Sequence, residues 1–556
     1  MSNARHRSPP RKTLLTLVAG LLVLFALFRL SHRASPDSRS AAQPVATDGA
    51  ALSEHAESAT NPNDNPAALD PVANDNVAQL AGKLSERLQR PGVRAHEAVL
   101  LFKDATGYNR FLAHAGTAGV IVVGKIEVLH AVRARVRAYD RFAADLVARA
   151  GDFGGVSANP FIDMPPPPAS SERDNGRLVA VGNNLLATLG VPAKTDTSNW
   201  GRGVTIAILD GGAAPDPAFG PRLRYLDIGL GYAGTGTAGQ HGTAVASLAA
   251  GSAADAPGVA PAATLLSIRV IDTDDHGDVF TVCHGLISAV DAGAQIINLS
   301  LGGRITSEVL NRAIAYATAR GVVLVAAAGN EGVDRLSWPA ADTRVISVGA
   351  TDANGLQAGF SNSGPQLRLS APGVGLVTAG MNPARALFSG TSASAPVVAG
   401  AIAVILSQSP GLTGAQAVEI LQTHATDGGA VGDDPHYGHG TLDLGWALAR
   451  DDPTRTDTAI TSHTYNPETN AIEVGVQNRS ARPSATHVLT INLNGRIFTQ
   501  EIAPIGPGRS TAVVIPLDTA TSAGLIELRT QLESSAAGID AVPVNNTRAS
   551  LFDLRR

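Results

Sequence analysis

The sequence is poor in cysteine, in charge and in aromatic residues. Cys283 is the only cysteine among 556 residues, so no disulfide can form within the chain and its stability must come from packing. Charged residues make up 16% and the net charge is −5, which gives no reason to expect a nucleic-acid partner. Because 44% of the residues are apolar, the chain can build two or three domains with cores of their own.

The N-terminal segment, residues 1–33, carries an apolar run from Leu14 to Phe28. Four basic residues precede the run and two follow it, a bias that keeps the N-terminus in the cytoplasm. The segment is either an uncleaved membrane anchor, through residues 14–30, or a cleaved signal peptide. Basic residues interrupt the place where a small-residue cleavage site would stand, which favours the anchor. The rest of the chain is then expected outside the cytoplasm, membrane-anchored or secreted after cleavage.

A polar linker and a small α+β domain follow. Residues 34–77 are rich in Ala, Ser, Asp, Asn and Pro without periodicity, as in a solvated linker. Residues 78–162 alternate strand and helix patterns in the order β-α-β-β-α-β, which predicts a ferredoxin-like unit. Its expected elements are strand 97–102, helix 105–115, strands 120–123 and 126–136, helix 139–150 and strand 155–162. Residues 163–183, which include four consecutive prolines at 165–168, form a connector.

Residues 184–450 alternate buried strands with helices. The expected strands are 204–209, 265–271, 296–301, 322–327 and 345–350, with helices between them that include 279–292 and 307–320. This alternation predicts an α/β fold with a doubly wound, mainly parallel sheet. In such sheets the functional site lies at the carboxyl ends of the strands.

Residues 451–556 form short strands separated by turns, which predicts a β-sandwich. The expected strands are 471–477, 487–493, 496–502, 511–516 and 526–531. Residues 539–547 resemble the closing strand of adhesion-like immunoglobulin-fold modules of exported bacterial proteins. Substrate docking, surface spacing and a structural cap all remain open as roles.

Small residues crowd a single serine, Ser392, in residues 388–396 (FSGTSASAP), just before an alanine-rich helical run. Free N–H groups at a helix N-terminus favour developing negative charge, which suits a nucleophile that creates an oxyanion. Ser392 could also be an ordinary helix cap. Three more polar side chains, Asp210, His241 and Asn330, lie at the ends of predicted strands or helices. The order Asp, His, Ser is one of those known for catalytic triads.

Five motifs in this order resemble those of the subtilisin-like serine peptidases, over roughly residues 189–449. They are ILDGG at 208–212, HGT at 241–243, NLSLG at 298–302, AAGN at 327–330 and GTS at 390–392. The resemblance implies a serine endopeptidase that acts on proteins or peptides without a cofactor. It implies Ser392 as nucleophile, His241 as general base, Asp210 as the group that orients the histidine, and Asn330 in the oxyanion hole.

The resemblance also implies a substrate cleft and an inhibitory propeptide. Two motifs match the walls of the primary specificity pocket, through Ser300, Leu301, Gly302, Ala327, Ala328 and Gly329. The α+β domain resembles the propeptide of these peptidases, with an unrelated accessory domain as the alternative. Gly211 stands where the family has Ser or Thr, which removes a hydroxyl beside Asp210. Residues 252–257 are too short and too poor in Asn for the family's calcium loop, so no metal site is expected.

Three further features have less specific interpretations. Cys283 beside His284 is expected to be a buried small hydrophobe, because successive helical residues do not face each other. The acidic turn 272–278 lacks the distal Glu of an EF-hand, so a solvated turn is expected rather than a metal loop. A catalytically inactive binding scaffold is the alternative function.

Overall fold

The structure, a computed structural model, describes residues 83–165, 178–232, 234, 236–272, 274–380, 384–518, 524–535 and 540–554. All of them belong to the compact unit Pro66–Arg556. The expected membrane segment at 14–30 and the linker at 34–77 lie outside the described residues, as do residues 166–177 of the connector. What the structure describes is an α+β domain, an α/β domain and a β-sandwich.

The N-terminal α+β domain packs helices against one antiparallel sheet. Its strands pair in the order β4-β1-β3-β2, and its core contains the rings of Phe102, Phe111, Phe142 and Phe153. After a short helix α1 (Leu84–Arg87), the elements are β1 (Val93–Phe102), α2 (Ala105–His114), β2 (Val120–Ile126), β3 (Ala131–Val136), α3 (Tyr139–Ala148) and β4 (Phe153–Asp163). The predicted β-α-β-β-α-β order is confirmed.

The α/β domain is built on a seven-stranded parallel sheet in the order β14-β13-β12-β11-β5-β9-β6. Its strands are β5 (Thr205–Asp210), β6 (Leu223–Leu226), β9 (Thr264–Arg269), β11 (Ile296–Leu299), β12 (Val323–Ala327), β13 (Ile346–Thr351) and β14 (Leu369–Pro372). Three short hairpin or edge segments complete its strands: β7 (Ser252–Ala253) with β8 (Ala256–Pro257), β10 (His276–Asp278), and β15 (Leu376–Ala379) with β16 (Arg385–Phe388).

Helices cover both faces of this sheet. Successive residues of β5 point to opposite faces, so Ile206 and Ile208 join one core while Ala207 and Leu209 join the other. The helices are α4 (Leu185–Thr188), α5 (Gly236–Ala250), α6 (Val279–Asp291), α7 (Glu308–Thr318), α8 (Thr391–Gln408), α9 (Gly414–Thr423) and α10 (Leu444–Leu448). α5 and α8 belong to the first core, α6 and α7 to the second. The doubly wound parallel sheet is confirmed.

Helix α8 is long and apolar enough to cross a membrane. It is instead the central helix of the first core, because all residues from Thr391 to Ile405 are buried. Among the described residues it is the one helix that meets this length and composition. Its apolar character is therefore explained by packing.

The C-terminal domain is a two-sheet sandwich. One sheet pairs β17 (Thr458–Asn466), β18 (Ala471–Asn478) and β21 (Ser510–Pro516); the other has the order β20 (Arg496–Ile502), β19 (His487–Leu493), β22 (Leu525–Ser534) and β23 (Thr547–Asp553). The expected closing strand at 539–547 is wrong in position. Pro543–Asn546 form a 3-10 helix, since proline favours a helix start and has no N–H for a strand ladder. The closing strand begins only at Thr547.

Candidate active site

Asp210 and His241 form a direct pair at the carboxyl edge of the sheet. Asp210 is the last residue of β5, and His241 lies in the second turn of α5. The His241 Nδ1 atom lies 2.9 Å and 3.0 Å from the two carboxylate oxygens of Asp210. Both side chains are largely buried, with 11% of His241 and 1% of Asp210 exposed. A carboxylate held against Nδ1 fixes the ring tautomer, so Nε2 is left as the proton acceptor.

Gly211 is explained by the approach of helix α5. A Cβ atom at this position would overlap the backbone and the side chain of Ala238. The Gly211 N–H donates to Asp210 Oδ1 at 2.7 Å, so a backbone donor supports the carboxylate. A hydroxyl-bearing residue at 211 would displace the helix that carries His241.

Ser392 lies in the first turn of α8, and the residue before the helix is Gly390. The N-cap is Gly390 rather than Ser392, so the interpretation of Ser392 as an ordinary cap is wrong. Gly390 has φ 131°, a conformation that side chains rarely adopt. The Ser392 hydroxyl donates to the C=O of Ser300 at 3.3 Å, and the Ser300 hydroxyl donates to the C=O of Ser392 at 3.0 Å.

The Asn330 side chain is oriented by Thr391, a role that the sequence does not predict. The N–H and the hydroxyl of Thr391 both donate to Asn330 Oδ1 at 2.9 Å. Because a backbone N–H can only donate, the amide oxygen faces Thr391 and the NH₂ lies on the other side. That nitrogen would lie 3.0 Å from a Cβ at position 390. Thr391 is the middle residue of the GTS motif, so the motif itself could have identified it.

One cavity of about 540 Å³ brings these groups together. His241 and Ser392 line it, with Asn330 and Phe388. The Phe388 ring meets the His241 ring edge-on, with centroids 5.2 Å apart at 82°. The cavity therefore combines an apolar wall at Phe388 with the polar side chains of His241, Asn330 and Ser392.

The residues expected to bind substrate have either buried side chains or no side chain. The side chains of Leu301, Ala327 and Ala328 are buried in the cores, so these residues can offer only backbone to the cleft. Gly302 exchanges two backbone hydrogen bonds with Asp163, at 2.9 Å and 3.1 Å. At Gly329, with φ 114°, a Cβ would overlap the Asn362 side chain.

The end of strand β4 lies in the cleft. Phe161, Ile162 and Asp163 pair antiparallel with β10, while Asp163 also bridges to Gly302. The next two residues, Met164 and Pro165, line the cavity that contains Ser392. The N-terminal domain thus reaches the candidate nucleophile through its own last strand.

The acidic turn 272–278 is solvated only in part: residues 274–276 are exposed, as expected from the sequence, whereas its two ends make contacts with the N-terminal domain. Asp278 is fully buried and caps helix α6 through the Thr281 N–H at 2.9 Å. Arg94 of β1 donates to Asp278 at 2.5 Å and to Asp272 at 2.6 Å. Burial raises the pKa of Asp272, but its hydrogen bond with Arg94 and backbone N–H groups outweigh this and lower it. The turn docks the N-terminal domain.

Two other expectations concern groups outside the cleft. Cys283 is fully buried in α6, and burial raises the pKa of its thiol, as expected for a small hydrophobe. Among the residues that the structure describes, no group of three His, Cys, Asp or Glu side chains could hold a metal ion.

Comparison with known proteins identifies the family. The sequence model of the subtilase family matches residues 201–440. Subtilisin BL of Lederbergia lenta is 34% identical over 259 residues, which are 46% of this chain and 95% of that protein. The chain belongs to the subtilase family. It is a subtilisin-like serine endopeptidase, and the family model matches within its α/β domain.

Other relatives of this subtilase extend the comparison. An alkaline protease of Shouchella clausii is 34% identical over 46% of this chain and 67% of its own length. The crystal structure of fervidolysin from Fervidobacterium pennivorans, a keratinolytic enzyme related to subtilisin, covers 84% of this chain and 77% of its own. Its TM-score is 0.56 at 21% sequence identity, so this likeness concerns the fold alone.

Proposed function

We propose that this subtilase hydrolyses peptide bonds with Ser392 as nucleophile, His241 as general base and Asp210 as the orienting carboxylate. The contact of His241 Nδ1 with Asp210 beside Ser392, in one cavity, carries the proposal. Ser392 attacks the carbonyl carbon while Nε2 of His241 takes its proton and returns it to the leaving amine. Water then hydrolyses the acyl-enzyme with the same base.

The oxyanion of each tetrahedral intermediate is stabilised by the Ser392 N–H and the Asn330 amide. Because Thr391 holds the amide oxygen, the NH₂ group is the part of the Asn330 side chain that can donate to the oxyanion. Substrate lies extended along the backbone of residues 300–302 and 327–329, by strand addition. No metal or cofactor takes part in this proposal.

The domain roles form the second part of the proposal. Residues 1–33 anchor the chain through 14–30, or are cleaved as a signal, and place the peptidase outside the cytoplasm. Residues 78–162 act as a propeptide joined by the connector 163–183 to the catalytic domain 184–450, and 451–556 form a separate β module. Strand β4 in the cleft supports the propeptide role.

Labelling with a fluorophosphonate probe tests the catalytic assignment. The full-length chain, before and after limited trypsin treatment, is incubated with the probe and with casein. We expect labelling and casein hydrolysis in the wild type and neither in Ser392→Ala. Turnover should fall by several orders of magnitude for any one triad substitution, and a second should add little. Asn330→Ala should lower kcat by a factor of roughly 10²–10³, the loss known for removal of such a donor in subtilisin.

The outcome also separates enzyme from scaffold. A trypsin-treated wild type that neither labels nor hydrolyses casein would favour the binding scaffold. Substantial hydrolysis by Ser392→Ala would refute the nucleophile. Retention of the protein in membranes after alkaline carbonate washing tests the anchor separately.

A further inference from the structure

The pairing of β4 with the cleft has a fixed register, which can be followed to Ser392. Asp163 and Gly302 exchange both backbone hydrogen bonds, Asp163 N–H to Gly302 C=O at 3.1 Å and Gly302 N–H to Asp163 C=O at 2.9 Å. They are therefore a hydrogen-bonded pair of an antiparallel ladder, and such pairs recur every second residue. Continued by two residues, this register sets position 165 opposite Ser300.

Ser300 is the residue whose C=O accepts the Ser392 hydroxyl. The register therefore places Pro165 beside the nucleophile, in agreement with the cavity that Pro165, Ser392 and His241 line together. Pro165 thus occupies the position of the substrate residue on the N-terminal side of the scissile bond, and in the sequence that bond joins it to residue 166. The sequence continues with proline at 166, 167 and 168.

Proline at 165 removes the ladder bond that this position would make. An ordinary residue there would donate its N–H to the C=O of Ser300, but proline has no N–H. That carbonyl is instead the acceptor of the Ser392 hydroxyl, at 3.3 Å. The proton of the nucleophile thus points to Ser300, whereas attack requires it to pass to His241.

The bond after Pro165 is also a poor reaction site. Hydrolysis would require Ser392 Oγ to bond to the Pro165 carbonyl carbon, and the C–N bond to residue 166 to break. The proton taken by His241 would then pass to the nitrogen of Pro166, which lies in a ring with a fixed φ. Rotation of that nitrogen toward His241 is restricted by the ring.

We propose that Pro165 and Pro166 make the occupant of the cleft resistant to the enzyme it blocks, so that the N-terminal domain is removed only by a cut in trans. This inference rests on the proposed function. The ion pairs of Arg94 with Asp272 and Asp278 hold β1, the neighbour of β4, against the turn that includes β10, the strand with which the end of β4 pairs. The uncut chain is then a stable, closed form, and activation depends on a second protease molecule.

The experiment restores a cleavable bond at this one position. Full-length wild type and Pro165→Leu/Pro166→Ser are purified and incubated over a wide range of concentrations, and fragments are identified by intact mass and N-terminal sequencing. We expect the double variant to produce a fragment that begins at residue 166, at a rate independent of concentration and about tenfold or more above the wild type. The matched control Pro167→Leu/Pro168→Ser should behave like the wild type, and Ser392→Ala should abolish the new fragment.

A second measurement keeps the inference testable if the variant folds poorly. Peptides covering residues 159–170, with Pro-Pro or Leu-Ser at 165 and 166, are given to trypsin-activated enzyme; only the Leu-Ser peptide should be cut after residue 165. The inference is overturned if wild-type chain generates the 166 terminus at a concentration-independent rate. It is also overturned if neither Leu-Ser substrate is cut there by enzyme that hydrolyses casein. If activated enzyme hydrolyses nothing, the proposed function fails, and the inference fails with it.

Discussion

The two domains that flank the catalytic domain are attached to it in opposite ways. The N-terminal domain contacts it through a backbone ladder at the cleft and through Arg94, whose side chain is 23% exposed. The C-terminal domain contacts it through Arg479, whose side chain is 7% exposed and forms an ion pair with Asp443. The Arg479 guanidinium group also lies over the ring of Trp446. Partly solvated ion pairs weaken with salt, while buried ones are strongly destabilised when one partner is lost. The contact of the N-terminal domain is therefore suited to dissociation, and that of the C-terminal domain to permanent attachment.

Removing Arg479 should give the largest loss of stability. Arg479→Met leaves Asp443 buried without its cation. Asp457, a second carboxylate 3.7 Å from Arg479 Nε, then has Arg455, at 2.7 Å, as its remaining ion-pair partner. We expect a loss of about 3–5 kcal/mol in stability, measured by calorimetry in the Ser392→Ala background to prevent self-digestion. Arg496→Met, on the exposed edge strand β20, is the matched control. Equal melting temperatures for the two variants would contradict a buried attachment.

The pH dependence of the C-terminal domain should be the next largest effect. His463 lies between Thr530 and Ser550, and burial, followed by nearby Arg548, lowers its pKa to about 3. The unfolded chain, with a pKa of about 6.5, binds the proton first, so this stability is complete above about pH 6.5 and declines toward pH 3. Between pH 7 and 4.5 we expect a loss of roughly 2–3 kcal/mol. His463→Gln should flatten this difference; an unchanged pH profile would exclude His463 as its source.

The N-terminal attachment should respond differently to acid. The pKa of Asp272 is lowered, so this carboxylate keeps its charge as the pH falls below the usual carboxylate range. Its contribution is present above that range and is lost only as the pH falls through the lowered value. At pH 5 the C-terminal domain is therefore weakened while the ion pairs of Arg94 persist.

Loosening the N-terminal attachment should give the smallest effect, a severalfold rise in activity. Arg94→Gln removes the cation shared by Asp272 and Asp278, while Arg133 remains 3.4 Å from the buried Asp278. We therefore expect severalfold faster fluorophosphonate labelling of Ser392 in the uncut chain rather than unfolding. Sodium chloride should accelerate labelling of the wild type more than of the variant. Arg110→Gln, which breaks an ion pair with Asp152 inside the N-terminal domain, is the control. Identical rates for the two variants would contradict docking through Arg94.

Much of the fold was predictable because its central strands are apolar runs. β5, β11 and β12 are buried on both faces, and such strands give an unambiguous pattern. Two outer strands, β6 and β14, were missed. Neither is a continuous apolar run, because β6 contains the exposed Arg224 and β14 contains Ser370 and Pro372. Strand β17 was missed because Thr, Ser and His interrupt its apolar residues.

The candidate site was predictable where a motif names the residue. Asp210, His241, Asn330 and Ser392 lie around one cavity or in contact with its residues. The role of Thr391 and the necessity of Gly211 depend on contacts between segments distant in sequence. The pairing of β4 with β10 joins residues more than 100 positions apart, and no local pattern encodes that register.

The Gly302 amide is a built-in reporter of cleft occupancy. Its hydrogen is held by the C=O of Asp163, which belongs to the last strand of the N-terminal domain. When that strand leaves, this amide loses its acceptor and becomes open to solvent exchange. Deuterium uptake at one glycine therefore measures, without any substrate, what fraction of the molecules has an open active site.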